Sequence, residues 1–355
     1  MAVTSLSIGN EYLATTLHNL MDEWRDGLHR ETALLKAQEK AKGAGKPSLP
    51  GGTRILFNVA LNSHSNTTRF QTGFEQIDLT VADVGVPAVY SWAYTGKPIA
   101  ISEYEEFVNQ GPTAVLNILE TRSKQTANEM KREYNQHGLA GNVTNWDDWN
   151  TLNGVDHTTG FLEEGAAGAA QTNDVGGINK TTYTSTAGWN NQIFDGAGSY
   201  NSNGLHGMYA LGVDIKDVAG SSDSHKTKMW IASLAGFKNY KRALQGSERY
   251  QTVDALDAGR PAMYFDGVEI MADSFMPTDG NDGGSGQSST DPVSFYCIDA
   301  ADIYTMWADD GYFALSGFDR VSGEYDVRSA LIRCRGQLVS SLLGTSGIAF
   351  DLETF

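Results

Sequence analysis

The sequence predicts an α+β fold organised around an extended hairpin that feeds a long helix. Three observations carry this reading. Two strand-like runs, Thr53–Leu61 and Phe74–Val84, flank the twelve-residue polar connection NSHSNTTRFQTG. A capped helical segment then runs to His137, and the last third of the chain is a series of β-branched and aromatic runs. A ribbon joined to a rod suits a molecule that grips neighbours better than one that closes around a substrate.

The chain opens with a helical arm over Glu11 to about Lys42, in which Leu13, Leu17, Leu20, Trp24, Leu28, Leu34 and Leu35 form a broad apolar stripe. Such an arm either reaches away from the body or packs back on it. GAGKPSLPGG, Gly43–Gly52, reads as a flexible linker. In the hairpin, Ile55, Phe57 and Val59 alternate with Arg54, Leu56 and Asn58, and Ile77, Leu79 and Val81 alternate with Asp78, Thr80 and Ala82. Each arm therefore has one apolar face. A two-stranded ribbon is marginal alone in water, so other chains or a domain body must cover that face.

Behind the apolar run PIAI, Ser102 and Glu105 stand in the capping-box relation and predict a short helix from Glu103 to about Asn109. Gly111–Pro112 breaks it and restarts it, with proline in the first turn. Leu116, Leu119, Ser123, Ala127, Met130 and Tyr134 then recur at three- and four-residue spacing, and Gly138 supplies the expected stop. The resulting helix would be roughly 39 Å long at 1.5 Å per residue.

Gly141–Asp223 is rich in Gly, Asn, Thr and Ser, with Trp146, Trp149 and Trp189 scattered through it, and reads as irregular loops and short strands pinned by aromatics. Lys228–Gln245 reads as a strand turning into a helix. Ala262–Asp273 is a strand pair turning at Asp266–Gly267, Thr278–Asp291 a flexible loop, and Ser294–Ala308 a further strand run. The chain ends in long half-buried strands over Glu324–Leu352, with Tyr325, Val327, Ala330, Ile332 and Cys334 inward.

Composition narrows the function. A formal charge of −17 and a pI near 4.7 exclude a basic nucleic-acid surface spread over the whole molecule, though not a local patch. Two cysteines, Cys297 and Cys334, are too few for a disulfide framework or a zinc site and predict buried thiols. No apolar run approaches the length of a membrane-spanning helix. There is no phosphate loop, dinucleotide fingerprint, HExxH or GxSxG. Asp279–Gly284 resembles the start of a calcium loop but lacks the closing glutamate. Asp147–Asp148 between Trp146 and Trp149 is either a sugar-binding cluster or a turn whose tryptophans belong to the core. The seven histidines are isolated. No catalytic residue, cofactor or metal ligand is assigned, and a non-enzymatic role is expected.

In their order, these segments resemble the major capsid proteins of tailed bacteriophages, whose fold is shared with encapsulins and the herpesvirus capsid floor. SEYEEFVNQGPTAVLNILETRSKQTANEMKREYNQ is similar to the spine helix of that family. KMWIASLAGFKNYKRAL, YFDGVEIMADSFMP and SFYCIDAADIYTMW are similar to its axial-domain helix, strand pair and returning strand, and DVRSALIRCRGQLVSSLLGTSGIAFDL to a terminal strand pair along the spine. The resemblance implies an N-terminal arm over 1–50, an extended β-hairpin loop over 51–85 and a peripheral domain with a long spine helix over 86–140. An axial domain with a Gly/Asn/Thr-rich insertion follows over 141–318, and 319–355 returns to the peripheral domain. It implies a structural protein that self-assembles as hexamers and pentamers into an icosahedral shell around double-stranded DNA, without sequence-specific DNA binding and without a membrane. Residues expected to touch neighbouring copies are Arg54, Phe57, Arg69, Phe70, Phe74, Leu17 and Trp24.

Fifty residues before the ribbon are too few for a built-in scaffolding domain, so a separate scaffolding protein is expected, with a portal and room for a decoration protein. Thr53–Val84 contains no lysine, which predicts copies held together noncovalently. The implied location is the virion, assembled in the host cytoplasm. Competing readings are an encapsulin-like compartment with an enzyme cargo and a carbohydrate-binding or carbohydrate-active surface protein.

Overall fold

The computed structural model describes residues 32–42, 48–61, 67, 69, 73, 76, 85–108, 118–154, 160–163, 171–182, 188–196, 199–219, 228–245, 263–277, 292–317, 319–320, 327–352 and 354–355. In chain order these form α1 (Ala33–Lys42), β1 (Ser48–Leu49), β2 (Ile55–Ala60), β3 (Gly85–Tyr90), β4 (Ala93–Ser102), α2 (Glu103–Val108) and α3 (Ile118–Ala140). The short strands β5 (Asp174–Val175) and β6 (Ile178–Asn179) follow, then β7 (Gln192–Asp195), α4 (Tyr200–Ala219), β8 (Lys228–Ala232) and α5 (Leu234–Gln245). The remainder is β9 (Met263–Phe265), β10 (Val268–Ala272), β11 (Val293–Asp299), β12 (Ile303–Ala308), β13 (Ala314–Leu315), β14 (Asp319–Arg320), β15 (Val327–Ser340) and β16 (Gly347–Phe350).

The chain divides into two compact units. The larger comprises 32–93, 134–309 and 336–355 and is built on a six-stranded sheet in the order β7-β16-β11-β8-β10-β9. The inward residues of α4, Met208, Leu211 and Ile215, pack with Tyr240 of α5 on Trp230, Ile270, Phe295 and Cys297 of this sheet. β8 and β11 are buried along their whole lengths, as strands covered on both faces must be. At the β9–β10 turn both Asp266 and Gly267 have positive φ, 48° and 77°, the backbone that a two-residue hairpin with right-handed strand twist demands.

α1 packs back against β8. The N–H groups of its first turn are met by side chains: Leu34 N–H donates to Asn135 Oδ1 at 2.9 Å and Ala33 N–H to Asp273 Oδ2 at 3.3 Å. Asn135 Nδ2 in turn donates to Asp273 Oδ2 at 2.8 Å, which fixes both acceptors. The described end of the arm is thus a helix returned to its own body. The linker expectation is corrected in part, because Ser48–Leu49 joins a sheet in parallel register with Trp307–Ala308.

The hairpin also differs from expectation. β2 pairs with β3, from Ile55↔Tyr90 to Ala60↔Gly85, so its described partner lies beyond the run read as the second arm. Proline at 87 concealed this strand, yet proline is tolerated on an edge strand. Phe74–Val84 lies outside the described residues apart from Gln76. The apolar face of β2 is covered by the domain body: Ile55 and Val59 are buried, and Phe57 meets Tyr90 and Tyr304 edge-on with centroids 6.2 and 6.3 Å away.

The tryptophans expected as pins lie in the core. Tyr134, Trp146, Trp149 and Trp307 form a cluster with centroid separations of 5.3 to 5.7 Å. Gly336 makes room for it, since a Cβ there would stand 2.7 Å from Met306 O. Gln337 then ties the turn carrying the tryptophans to the sheet, accepting from Asn150 N–H at 2.8 Å and donating to Asp148 O at 3.0 Å.

In the smaller unit, 94–133 and 310–335, β4 and the short strands β13 and β14 pair with β15. The capping box forms as predicted: Ser102 N–H donates to Glu105 Oε2 at 3.3 Å, and Glu105 N–H to Ser102 Oγ at 3.2 Å. Arg122 of α3 clamps the same carboxylate through both terminal nitrogens, at 2.9 and 3.4 Å. Lys97 lies between Glu129 and Glu133 at 3.1 and 2.9 Å. Burial works against its ammonium, but these two carboxylates outweigh it and hold its pKa above the ordinary value.

Three further expectations are corrected. Gly138 does not stop α3, which continues to Ala140 and ends at Gly141 with φ 76°, the left-handed residue that closes a helix. Gly138 instead admits Leu34, whose Cδ2 lies 2.4 Å from where a Cβ would be. The terminal strands are no pair: β15 belongs to one sheet, while β16 lies between β7 and β11 in the other. Finally, the segment expected as loops and short strands contains the 20-residue helix α4.

Candidate functional site

The contacts expected from the sequence lie on the hairpin and on the N-terminal arm. On the hairpin, Arg54 and Arg69 are exposed. Phe57 is half-buried against its own chain, whereas its neighbour Leu56 is 63% exposed and presents an apolar side chain outward from the same strand. Phe70, Phe74, Leu17 and Trp24 lie outside the described residues. The structure therefore places Arg54 just before the strand that carries Phe57 and leaves four of the expected contacts unplaced.

Two apolar faces were missed. On α2, Tyr104 and Phe107 stand three residues apart and are strongly exposed, Phe107 at 72%. The capping box and the Arg122 clamp fix the helix that carries them, so the aromatics are held out on a rigid turn. On α4, Leu205, Tyr209 and Val213 recur every four residues on a face apart from that of Met208, Leu211 and Ile215, with Tyr209 62% exposed. A helix apolar on two sides has one side packed and one bare. The four-residue spacing was visible in the sequence, but the surrounding asparagines and glycines disguised it as loop.

Among the described residues the interior holds no reaction centre of the kinds weighed above; the calcium-loop-like Asp279–Gly284 lies outside them. Trp146 and Trp149 are buried, so they cannot stack on a sugar, and the carbohydrate reading loses its aromatic platform. Cys297 and Cys334 are buried, and burial pushes the Cys334 thiol up to about 12, far from a nucleophile's range. Among the described residues, no three His, Cys, Asp or Glu side chains are placed to hold a metal ion. A groove of about 350 Å³ beside Tyr200, His206, Arg242 and Phe355 is lined by no Asp or Glu side chain, and the Arg242 guanidinium covers the Phe355 ring at 4.1 Å. Among the described residues no helix is long and apolar enough to cross a membrane.

No protein-family model and no curated protein matches the chain. Solved structures do. The capsid asymmetric unit of cyanophage A-1(L) is similar over 95% of this chain and 96% of its own, with a TM-score of 0.62 at 15% identity. The capsid of the empty GTA particle covers 99% and 100%, with a TM-score of 0.59 at 12% identity. The holo-SrpI encapsulin complex from Synechococcus elongatus covers 97% and 95%, with a TM-score of 0.55 at 10% identity. The chain has the fold shared by these shell proteins, and it has it from end to end.

Proposed function

We propose that this chain is the structural subunit of an icosahedral shell that encloses a phage double-stranded DNA genome. The observation that carries the proposal is full-length coverage in both directions: the fold occupies essentially all of this chain and all of each capsid chain it resembles. Residues 1–50 act as an arm, 51–85 as the extended loop, 86–140 with 319–355 as the peripheral domain and 141–318 as the axial domain. Copies associate as hexamers and pentamers, with a separate scaffolding protein and a portal completing assembly in the host cytoplasm.

The surface supports this physically. Each copy carries several separate exposed apolar groups, Leu56, the Tyr104/Phe107 pair and the α4 stripe. Repeated over many symmetric contacts, even modest patches sum to a stable wall. Arg54 and Arg69, with Leu17, Trp24, Phe70 and Phe74, meet adjacent copies, and the arginines set register by pairing with carboxylates more than they add affinity. An acidic chain repels packaged DNA instead of binding it, which suits a genome that must leave.

Negative-stain microscopy of the purified chain, alone and with its scaffolding protein, tests the proposal. Shells, rings or sheets are expected; a compact monomer under both conditions overturns it. The encapsulin-like fold match gives a second reading, a compartment around an enzyme. Shells isolated from cells then contain a cargo protein in place of DNA.

A further inference from the structure

Lys180 follows β6 directly, at the end of a tight hairpin whose turn, Gly176–Gly177, has φ of 60° and 74°. Its side chain is 0% exposed. Burying an ammonium needs a strong compensating reason, because the charged form loses its hydration. The chain supplies three oxygens: Nζ donates to Phe161 O at 2.8 Å and to Asn191 Oδ1 at 3.2 Å, and it lies 3.6 Å from Glu163 Oε1. Glu163 and Asn191 are themselves buried, and so are Phe161, Leu162, Ile178 and Trp189, each within two residues of one of the three in sequence.

The amide of Asn191 is held on every side. Its Oδ1 also accepts the Glu163 N–H at 3.0 Å, and its Nδ2 donates to Glu163 O at 3.0 Å. Its backbone is gripped by Gln171, which accepts from Asn191 N–H at 3.1 Å and donates to Asn191 O at 2.7 Å. The Glu163 carboxylate is fixed by the N–H groups of Thr172, at 2.7 Å, and Asn173. An ion pair alone requires none of this. Here an amine, a carboxamide bonded to a backbone N–H, and a carboxylate 3.6 Å from the amine are locked together away from water.

The geometry points to an intramolecular isopeptide bond between Lys180 Nζ and Asn191 Cγ, formed by the folded chain itself with Glu163 as the proton carrier. The bond joins two segments of one chain and leaves contacts between copies untouched. Glu163 takes one proton from the Lys180 ammonium, and the neutral amine attacks Asn191 Cγ. The tetrahedral oxygen that results is held by the Glu163 N–H, in the manner of an oxyanion hole. Glu163 gives its proton to Nδ2 and takes the surplus proton from Nζ. The Cγ–Nδ2 bond breaks, ammonia leaves, and Glu163 passes it the last proton. An ammonium and a primary amide thus become a secondary amide and an ammonium ion, with the carboxylate regenerated and no oxidant or cofactor used.

Two features favour the step. Burial pushes the Lys180 ammonium down to about 8, the Glu163 charge opposing this only partly, so neutral amine is available near neutral pH. Holding the reactants at contact distance replaces an encounter with a unimolecular reaction. The product also removes a buried charge from the core.

The test is the mass of the full chain, purified folded and measured after denaturation. The bonded protein is lighter by one ammonia than its sequence, trypsin leaves it uncut after Lys180, and the peptides carrying Lys180 and Asn191 travel as one branched species. Asn191→Ala and Glu163→Gln chains have the full mass. Wild-type protein at full sequence mass, cleaved normally after Lys180, overturns the inference, as does ammonia loss that maps to any other residue. Because the wild-type measurement decides, the result stands whether or not the variants fold.

Discussion

Replacing Gly138 by alanine tests the packing of α1 on α3 most sharply. An ideal Cβ at 138 lies 2.4 Å from Leu34 Cδ2, against roughly 3.5–4.0 Å for an ordinary carbon contact. Leu34 cannot easily retreat, since it is fully buried and its N–H is bound to Asn135 Oδ1 at 2.9 Å. Overpacking of this kind costs about 1–3 kcal/mol. Alanine regains about 1 kcal/mol of helix propensity, so the net loss is about 0–2 kcal/mol. Leu34→Ala alone costs about 2–5 kcal/mol by opening a cavity. In that background the new methyl enters space already vacated, and Gly138→Ala becomes stabilising by about 1 kcal/mol. Urea melts of the four chains in unassembled form measure the cycle. A favourable coupling of about 1–3 kcal/mol is expected; if the two effects simply add to within about 0.5 kcal/mol, the account of Gly138 is wrong.

Further outcomes follow from other sites. Tyr104→Ser with Phe107→Ser should leave the melt within about 0.5 kcal/mol, because both rings are exposed, while lowering the yield of shells; unchanged assembly would show that α2 lies outside the contacts. Glu105→Ala removes the capping box and the Arg122 clamp together and should cost about 1–2 kcal/mol by denaturant unfolding. The Cys334 thiol, pushed up to about 12 in the fold from 9.0, contributes stability that is fully present below pH 9 and is lost as pH rises toward 12. Cys334→Ala should therefore flatten part of the alkaline loss in pH-dependent melts, and a disulfide-exchange dye should label neither cysteine until the chain unfolds. Shells dissolved in detergent should run as single chains on a denaturing gel, since the contacts between copies are noncovalent; a ladder of multiples would contradict this.

Legibility in the sequence tracked how local the determining physics is. The capping box at Ser102 and Glu105, the turn at Asp266–Gly267 and the strand-to-helix passage over Lys228–Gln245 are settled within a few residues, and all stand as read. What escaped depends on partners distant in sequence. Gly138 looks like a helix stop until Leu34, more than a hundred residues earlier, is seen to need its missing Cβ. α4 is poor in helix formers, and only the sheet beneath Met208, Leu211 and Ile215 makes it a helix. β15 and β16 look like one pair because nothing local reveals that they enter different sheets. The contact surface was half legible: Arg54 is exposed as expected, while Phe57 turned inward and the outward apolar residues on α2 and α4 gave only a spacing signal. The Lys180 cluster left no motif at all, since Glu163, Lys180 and Asn191 are far apart in sequence.

Cryo-electron microscopy of the purified, assembled chain tests the central claim most directly. The account predicts closed icosahedral particles whose wall is one subunit thick, with each copy in the fold described above and the α2 and α4 apolar faces covered by neighbours. Monodisperse compact monomers, with and without the scaffolding protein, would contradict it.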